Sequence, residues 1–351
     1  MREPLQLEIH DIAFGGAGVA RHEGKVYFIP FTAPGDVVKA RIHREKKNFA
    51  EGRFTEVLTP SPDRVEPLCA YFGRCGGCSY QHLSYSKQLE LKHRQVEQTL
   101  RRVGRLAEVP MQPIIPAPDP YAFRNRIRVH VKDGEAGFFA HGSHELVPIT
   151  RCEIAQPGVN DALQDLRSRS ARDGDYTLVA RDRRDFFEQT NDAVAAELLA
   201  LVERTVRREQ TLLLDAYCGA GFFAHRLAPL FKNVIGIEEN EHAVAHANRS
   251  AGENERYLVG EVSMLLSELL TPQAAATTTV LLDPPATGLG GCVTDLLLAG
   301  APAEILYISC NPATLARDLA ALCTAYRLES VTPLDMFPQT AEIEVLAVLR
   351  R

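Results

Sequence analysis

Apolar positions follow two regimes along this chain. Up to about residue 60 they alternate with polar ones. Leu5 to Ile12, Val26 to Pro30, Val37 to Ile42 and Phe54 to Leu58 each read as a short strand, with a glycine turn at Gly15, Gly16 and Gly18 and a second turn at Ala33-Pro34-Gly35-Asp36. Short strands at this spacing predict a small β-barrel. After about residue 211 the apolar positions form continuous runs: Thr211 to Asp215, Asn233 to Ile237, Thr279 to Leu282 and Ile305 to Ile308. Runs of that length predict buried strands of a doubly wound α/β sheet. Helices are expected at Gln88 to Val103, Ala162 to Ser170, Asp192 to Arg207 and Ala313 to Ala321. Between the two regimes, five prolines from Pro110 to Pro120 mark a connector. Tyr121 to Val131 alternates as a strand with Arg124, Arg126 and Arg128 on one face, Gly137 to Pro148 reads as a hairpin, and Tyr176 to Ala180 as another strand.

Composition narrows the function classes. A chain of 351 residues accommodates two or three domains, and 45% hydrophobic with 24% charged residues is ordinary for a globular protein. The formal net charge of −6 gives no overall basic character, so RNA binding would depend on local patches. No apolar run approaches the roughly 18 residues of a membrane span, and the N-terminus carries no signal-peptide core. The expectation is a cytoplasmic protein with no membrane partner. Eight cysteines then point to metal or catalytic roles rather than to a disulfide framework.

Three clusters carry candidate chemistry. Cys69, Cys75 and Cys78 surround Gly76-Gly77, and Cys152 is the natural fourth thiol. Zinc and a four-iron cluster both accept four thiolates, and spacing leaves both open. In the second cluster, strand Thr211 to Asp215 leads into Tyr217-Cys218-Gly219-Ala220-Gly221, and Glu238 ends the next strand about twenty residues on. Glycines there let a ligand approach the backbone, and a carboxylate at that distance can hold ribose hydroxyls. Val280 to Gly288, with Asp283-Pro284-Pro285, forms a further wall. In the third, Cys310 sits where a strand gives way to a turn, at the end of the sheet where ligands collect. Its bland alternative is a small buried hydrophobe. The bland alternatives for Glu344, for Asn191 and for the three arginines are a strand-end ion pair, a helix cap and an exposed sheet face; a strand face of arginines also suits a phosphate backbone.

The residues IAFGGAGVARHEGKVYFIPFTAPGDVV resemble a TRAM domain, an OB-like RNA-binding barrel. CAYFGRCGGCSYQHLSYSKQLELK is similar to the cluster-binding segment of the RNA uracil-5-methyltransferases of tRNA and rRNA, and the resemblance runs nearly to the C-terminus. It implies a [4Fe-4S] cluster on Cys69, Cys75, Cys78 and Cys152. It implies S-adenosylmethionine held by Gln189, Tyr217, Gly219, Gly221, Glu238 and Asp283, with Phe187, Arg124 and Arg126 toward the substrate RNA. Glu344 matches the family's catalytic base. The chain departs from the family at Ala286, where DPPR reads DPPA, and at Phe222, where a small polar residue is usual.

The combined expectation is a monomer in three parts. Residues 1–60 form a TRAM-like barrel, residues 61–185 a small β-rich iron-sulfur domain, and residues 186–351 a Rossmann-like class I methyltransferase domain. The expected reaction is methyl transfer from S-adenosylmethionine to C5 of a uridine in rRNA or tRNA, through covalent addition of Cys310 to C6. Two alternatives stand beside it: methylation of an exocyclic nitrogen by the Asp283-Pro284-Pro285 loop, and an RNA-binding relative without activity.

Overall fold

A computed structural model describes residues 3–169, 171–180 and 189–351. The chain divides into two compact units, one of Met1–Gln95, Pro118–Arg184 and Phe337–Glu342, the other of Val96–Ala117, Asp185–Met336 and Ile343–Arg351.

The first unit opens with β1 (Leu5–Ile12), β2 (Ala17–His22), β3 (Lys25–Pro30), β4 (Val37–Glu45) and β5 (Phe49–Thr59), closed into a barrel in the order β1-β2-β3-β5-β4. Alternation puts Leu7, Ile9, Ala20, Tyr27, Ile29, Val38 and Ala40 inside. Strand β2 is an addition to the sequence reading. AGVARH has little β-propensity of its own, but its ladder to β3 is continuous from Ala17 opposite Pro30 to His22 opposite Lys25. Gly15 and Gly16, at φ +96° and +98°, supply the turn. Gly18 belongs to the strand, where a Cβ would lie 2.0 Å from Thr32 Oγ1.

Next come α1 (Tyr85–Arg102), β6 (Arg126–Lys132), β7 (Glu135–Phe139), β8 (Leu146–Pro148), α2 (Pro157–Ser168) and β9 (Gly174–Val179), with an antiparallel sheet ordered β8-β7-β6-β9. Ile127, Val129 and Val131 pack with Val159 and Leu163 of α2. Strand β6 starts later than its alternation predicts. Ala122 has φ +51°, and the segment before the strand pairs with residues 153–155 instead. Arg126 and Arg128 therefore share the strand's outward face, whereas Arg124 precedes it. Arg128 is neutralised by Asp175 at 2.6 Å.

The second unit contains α3 (Asp192–Thr205), β10 (Leu212–Ala216), α4 (Phe222–Leu227), β11 (Asn233–Glu238), α5 (Glu241–Arg249), β12 (Glu255–Val259), α6 (Val262–Leu269), α7 (Pro272–Ala275), β13 (Thr278–Leu282), α8 (Gly291–Gly300), β14 (Glu304–Ser309), α9 (Pro312–Leu322), β15 (Arg327–Leu334) and β16 (Glu344–Arg350). Its sheet runs β12-β11-β10-β13-β14-β16-β15, parallel except for β16, which is antiparallel to both neighbours. Strand order reverses between β10 and β13, which opens a crevice at their carboxyl ends. Asn191 caps α3 by accepting from Val194 N at 3.3 Å, as its bland alternative expected. Val96 and Leu100 of α1 join this unit's core, and Met111 and Ile115 of the proline-rich connector bridge to Val331 and Leu334. Among the described residues no helix is long and apolar enough to cross a membrane.

At the other end of the central strands, Glu304 is fully buried and takes Arg350 Nε at 3.1 Å and Thr279 Oγ1 at 2.9 Å. Arg350 also donates to Thr205 O and to Glu329. Substituting Arg350 by Met leaves Glu304 buried without its cation, which costs about 3–5 kcal/mol. Urea denaturation should show the midpoint falling accordingly, and an unchanged midpoint would remove the pair's structural role.

Candidate active site and cysteine cavity

Strand β14 is buried at every position and pairs with β16 in unbroken register, from Glu304 opposite Arg350 to Ser309 opposite Val345. Cys310 follows the last paired residue of β14 and Glu344 precedes Val345, so both adjoin the final rung of the ladder. Cys310 is half-buried and Glu344 is 3% exposed. The chain turns sharply after Cys310. Asn311 N donates to Ser309 Oγ at 3.2 Å, and Asn311 Oδ1 accepts from Ala313 N at 3.0 Å, which caps α9. The thiol is thus fixed between a strand end and a helix cap.

Helix α9 also grips the loop after β13. Asn311 Nδ2 and Thr314 Oγ1 both donate to Ala286 O at 3.1 Å. Arg317 Nη2 donates to Thr287 O at 3.1 Å and Leu289 O at 2.9 Å. Asp318 is buried and accepts from Leu289 N at 2.8 Å and from Tyr307 Oη at 2.7 Å. A guanidinium is absent at Ala286, yet one reaches the same loop from Arg317. Sequence reading missed Arg317 and Asp318. The signal for Asp318 was an acid interrupting the apolar stripe of Leu315, Leu319 and Leu322.

Across the crevice, Tyr217, Gly219 and Gly221 occupy left-handed conformations at φ +66°, +53° and +87°. Gly219 N donates to Glu238 Oε2 at 3.1 Å, and Asn240 N donates to Glu238 Oε1 at 2.9 Å. Asp215 Oδ2 accepts from Ala224 N at 3.0 Å, while Asp215 Oδ1 is buried with no hydrogen-bond partner among the described residues. Gln189 Nε2 donates to Asp283 Oδ2 at 3.2 Å. Burial pushes Asp283 up to about 7, with the Gln189 bond opposing. Burial also holds Asp215 well above the usual carboxylate range, reinforced by the charges of Asp283 and Glu238. A Cβ on Gly221 would lie 2.8 Å from the His225 ring and 3.0 Å from Tyr257 Oη, so the turn is packed from below. Phe222 projects outward, 39% exposed, edge-on to Phe223. Phe187 lies outside the described residues.

In the first unit, Cys69, Cys75, Cys78 and Cys152 all line one cavity, with Gln81 and Arg124. Its volume of about 40 Å³ exceeds the roughly 10–15 Å³ that one water needs. Burial pushes the Cys78 thiol up to about 12 and Cys152 up to about 11, and neighbouring thiols add to both shifts. Gly76 is required by close approach, since a Cβ would meet Phe139 O at 2.9 Å. Arg124 Nε is buried with no hydrogen-bond partner among the described residues. Arg124 therefore faces the thiols rather than sharing a strand face with Arg126. No group of three His, Cys, Asp or Glu side chains among the described residues is arranged to hold a metal ion.

The chain is similar to known proteins along nearly its whole length. The family model described as tRNA (uracil-5-)-methyltransferase matches residues 163–351, and the TRAM domain model matches residues 3–55. The chain belongs to the tRNA (uracil-5-)-methyltransferase family. An uncharacterised RNA methyltransferase of Bdellovibrio bacteriovorus is 35% identical over 99% of this chain and 95% of the relative. A second, from Thermosynechococcus vestitus, is 29% identical over 98% of this chain and 97% of the relative. Among solved structures, the Pyrococcus abyssi tRNA (uracil-54, C5)-methyltransferase in complex with S-adenosyl-L-homocysteine superposes with a TM-score of 0.75 at 25% identity, over 98% of this chain and 99% of that one. The barrel is a TRAM domain, and the second unit is a class I, Rossmann-like methyltransferase fold. The chain transfers a methyl group from S-adenosylmethionine to C5 of uridine in RNA.

In this uracil-5-methyltransferase the buried carboxyl of Asp283 gives a pH-dependent signature. A carboxyl whose folded value is raised supports the fold fully below its unfolded value, and that support is lost as pH rises through about 7. Asp283→Asn cannot ionise. Its melting temperature, relative to the parent without ligand, should be higher at about pH 8 than at about pH 5. An equal difference at both pH values would show that the Asp283 carboxyl does not titrate in this range.

Proposed function

We propose that Cys310 is the nucleophile and Glu344 the base of C5 methylation, and that a [4Fe-4S] cluster occupies the cysteine cavity. The observation that supports the first part is the β14–β16 register, whose last rung, Ser309 opposite Val345, is adjoined by Cys310 on one strand and Glu344 on the other. C5 of uracil is a poor nucleophile. Addition of the Cys310 thiolate to C6 forms an S–C bond and moves the ring electrons toward C5 and O4. S-adenosylmethionine, when bound, supplies an electrophilic methyl group to C5 and is left as the neutral thioether. Glu344 then takes the C5 proton, and its electron pair restores the double bond as Cys310 leaves as thiolate. The base must leave its stack to reach Cys310.

Gln189, Tyr217, Gly219, Gly221, Glu238 and Asp283 form the proposed cofactor site. The left-handed turn brings bare backbone to the crevice, and Glu238 keeps acceptor capacity for ribose hydroxyls beyond its two backbone bonds. Asp215, Asp283 and Glu238 bring three carboxyl groups to the crevice, and a cofactor bearing a sulfonium and an ammonium group would favour the ionised forms that burial disfavours in Asp215 and Asp283. The three-part division at residues 60 and 185 belongs to the same reading, with Phe187 and Arg126 toward the RNA, which we take to be tRNA or rRNA.

Four thiols around a single cavity fit a cluster held by four thiolates, and the orphaned Nε of Arg124 fits the negative charge such a group carries. Protein purified without oxygen should be brown and contain about four iron and four sulfide per chain. Stoichiometric zinc without iron would defeat this assignment. Cys152→Ser should lose the iron.

RNA carrying 5-fluorouridine should trap a covalent complex with Cys310, because fluorine replaces the proton that Glu344 removes. Glu344→Gln should stall as a similar adduct on ordinary RNA, with the C5 proton still in place, and Cys310→Ala should give neither adduct nor product. Nitrogen methylation predicts activity without Cys310, and an inactive relative predicts RNA binding without methyl transfer. A denaturing gel of labelled RNA beside a methyl-incorporation assay separates the three. Methylation at C5 by Cys310→Ala would end the covalent mechanism.

A further inference from the structure

A second cavity lies in the first unit, about 790 Å³ in volume, within the size range of small-molecule sites. It is lined by the end of β3, by β5, by the segment around the cysteines and by residues 140–148. Its wall is aromatic. Phe31 meets Phe72 edge-on at 5.2 Å and His141 at 5.1 Å, and Phe72 stacks on His82 at 5.6 Å and 29°. Phe31 holds φ +61°, which an aromatic residue adopts only under constraint. The constraint is visible: Arg64 donates to Phe31 O at 3.1 Å and is itself anchored on buried Asp36. The aromatic wall is thus fixed in advance.

The rim is cationic. Arg53 and Arg74 line the cavity and form no ion pair among the described residues, and Glu145 is the one carboxylate in the lining. Arg53 also stands directly opposite Arg41 on β4. Like charges facing each other across a ladder are destabilising. The arrangement is relieved by an anion between them. Planar rings and guanidinium groups without carboxylate partners among the described residues, in one lining, match the two halves of a nucleotide, a stacking base and a phosphate.

We propose that this cavity binds one unstacked nucleotide of a single-stranded RNA segment, as a recognition subsite separate from the one that presents the target uridine to Cys310. The proposal rests on RNA being the substrate. Stacking in the cavity selects exposed bases, so the site favours loops over duplexes.

The test uses the full chain with a labelled single-stranded oligoribonucleotide of mixed sequence, a duplex of equal length, and a polyglutamate competitor. Affinity is measured across a salt series. The double variant Arg53→Gln with Arg74→Gln should bind the single strand more weakly, with a salt slope lower by about 1.4, the share of two phosphate contacts. S-adenosylmethionine affinity should stay unchanged, and Arg53→Lys with Arg74→Lys should restore the slope. In the parent protein, 4-thiouridine in the strand should crosslink to peptides carrying Phe31, Phe72 or His141. An unchanged slope, duplex binding as tight as single-strand binding, displacement by polyglutamate as efficient as by RNA, or crosslinks only outside the cavity would each overturn the proposal. Methyl incorporation by the parent protein is measured alongside. Its absence counts against the catalytic reading, whereas a methylating parent with an unchanged slope in the variant counts against this cavity alone.

Discussion

The antiparallel ladder between β14 and β16 is the constraint on which the active site depends. A strand repeats every two residues, so a slip of one would turn Glu344 to the opposite face of the sheet. Two features prevent the slip. Both strands are buried along nearly their whole length, so either face turned wrongly would strand polar groups in the core. The far end of the ladder carries the Glu304–Arg350 pair, whose members are also rung partners. A buried ion pair is weak evidence for stability but a sound device for register, because an unpaired buried charge is so costly. The lower end of the sheet thereby aligns the upper end, about five rungs away.

The same ends of the sheet organise the crevice through short polar contacts rather than through apolar packing. Helix α9 begins two residues after Cys310, and its cap and first turns hold the loop after β13 by three donors and one carboxylate. Position and chemistry are therefore coupled: whatever fixes Cys310 also fixes the loop that carries Asp283. The departure at Ala286 loses a side chain but leaves its backbone carbonyl doubly bonded, and Arg317 restores a guanidinium to the loop from the helix.

Much of this was legible in the sequence, and the failures have physical causes. Continuous apolar runs identified β10, β11, β13 and β14, because a parallel strand covered on both faces has no other pattern. Strand β2 escaped because its residues are placed by a ladder rather than by their propensity. The three arginines of Tyr121 to Val131 looked equivalent under period-two alternation, but the left-handed turn at Ala122 removed Arg124 from the strand. Long-range pairs were invisible. Gln88 and Gln339 exchange two hydrogen bonds at 3.0 Å across most of the chain, and neither residue's neighbours announce the other. The position of Phe187 lies outside the described residues.

Some departures from local rules in this molecule fall where chemistry is expected. Non-glycine residues in left-handed conformations include Tyr217 in the turn after β10 and Phe31 in the aromatic cavity. Buried polar atoms lacking partners among the described residues include Asp215 Oδ1 at the crevice and Arg124 Nε at the thiols. Strain of this kind costs about 1–3 kcal/mol at each residue and persists only where the surroundings over-determine it. At Phe31 the determining contact is the Arg64–Asp36 pair, and at Tyr217 it is the packed turn between Asp215 and Glu238. An orphaned buried atom has the complementary meaning, since leaving it unmatched costs about as much as a lost hydrogen bond. Places that keep such defects, the crevice and the cysteine cavity among them, are not optimised for stability. They are open valences of the structure, and a ligand that closes them recovers free energy the folded chain has left unused.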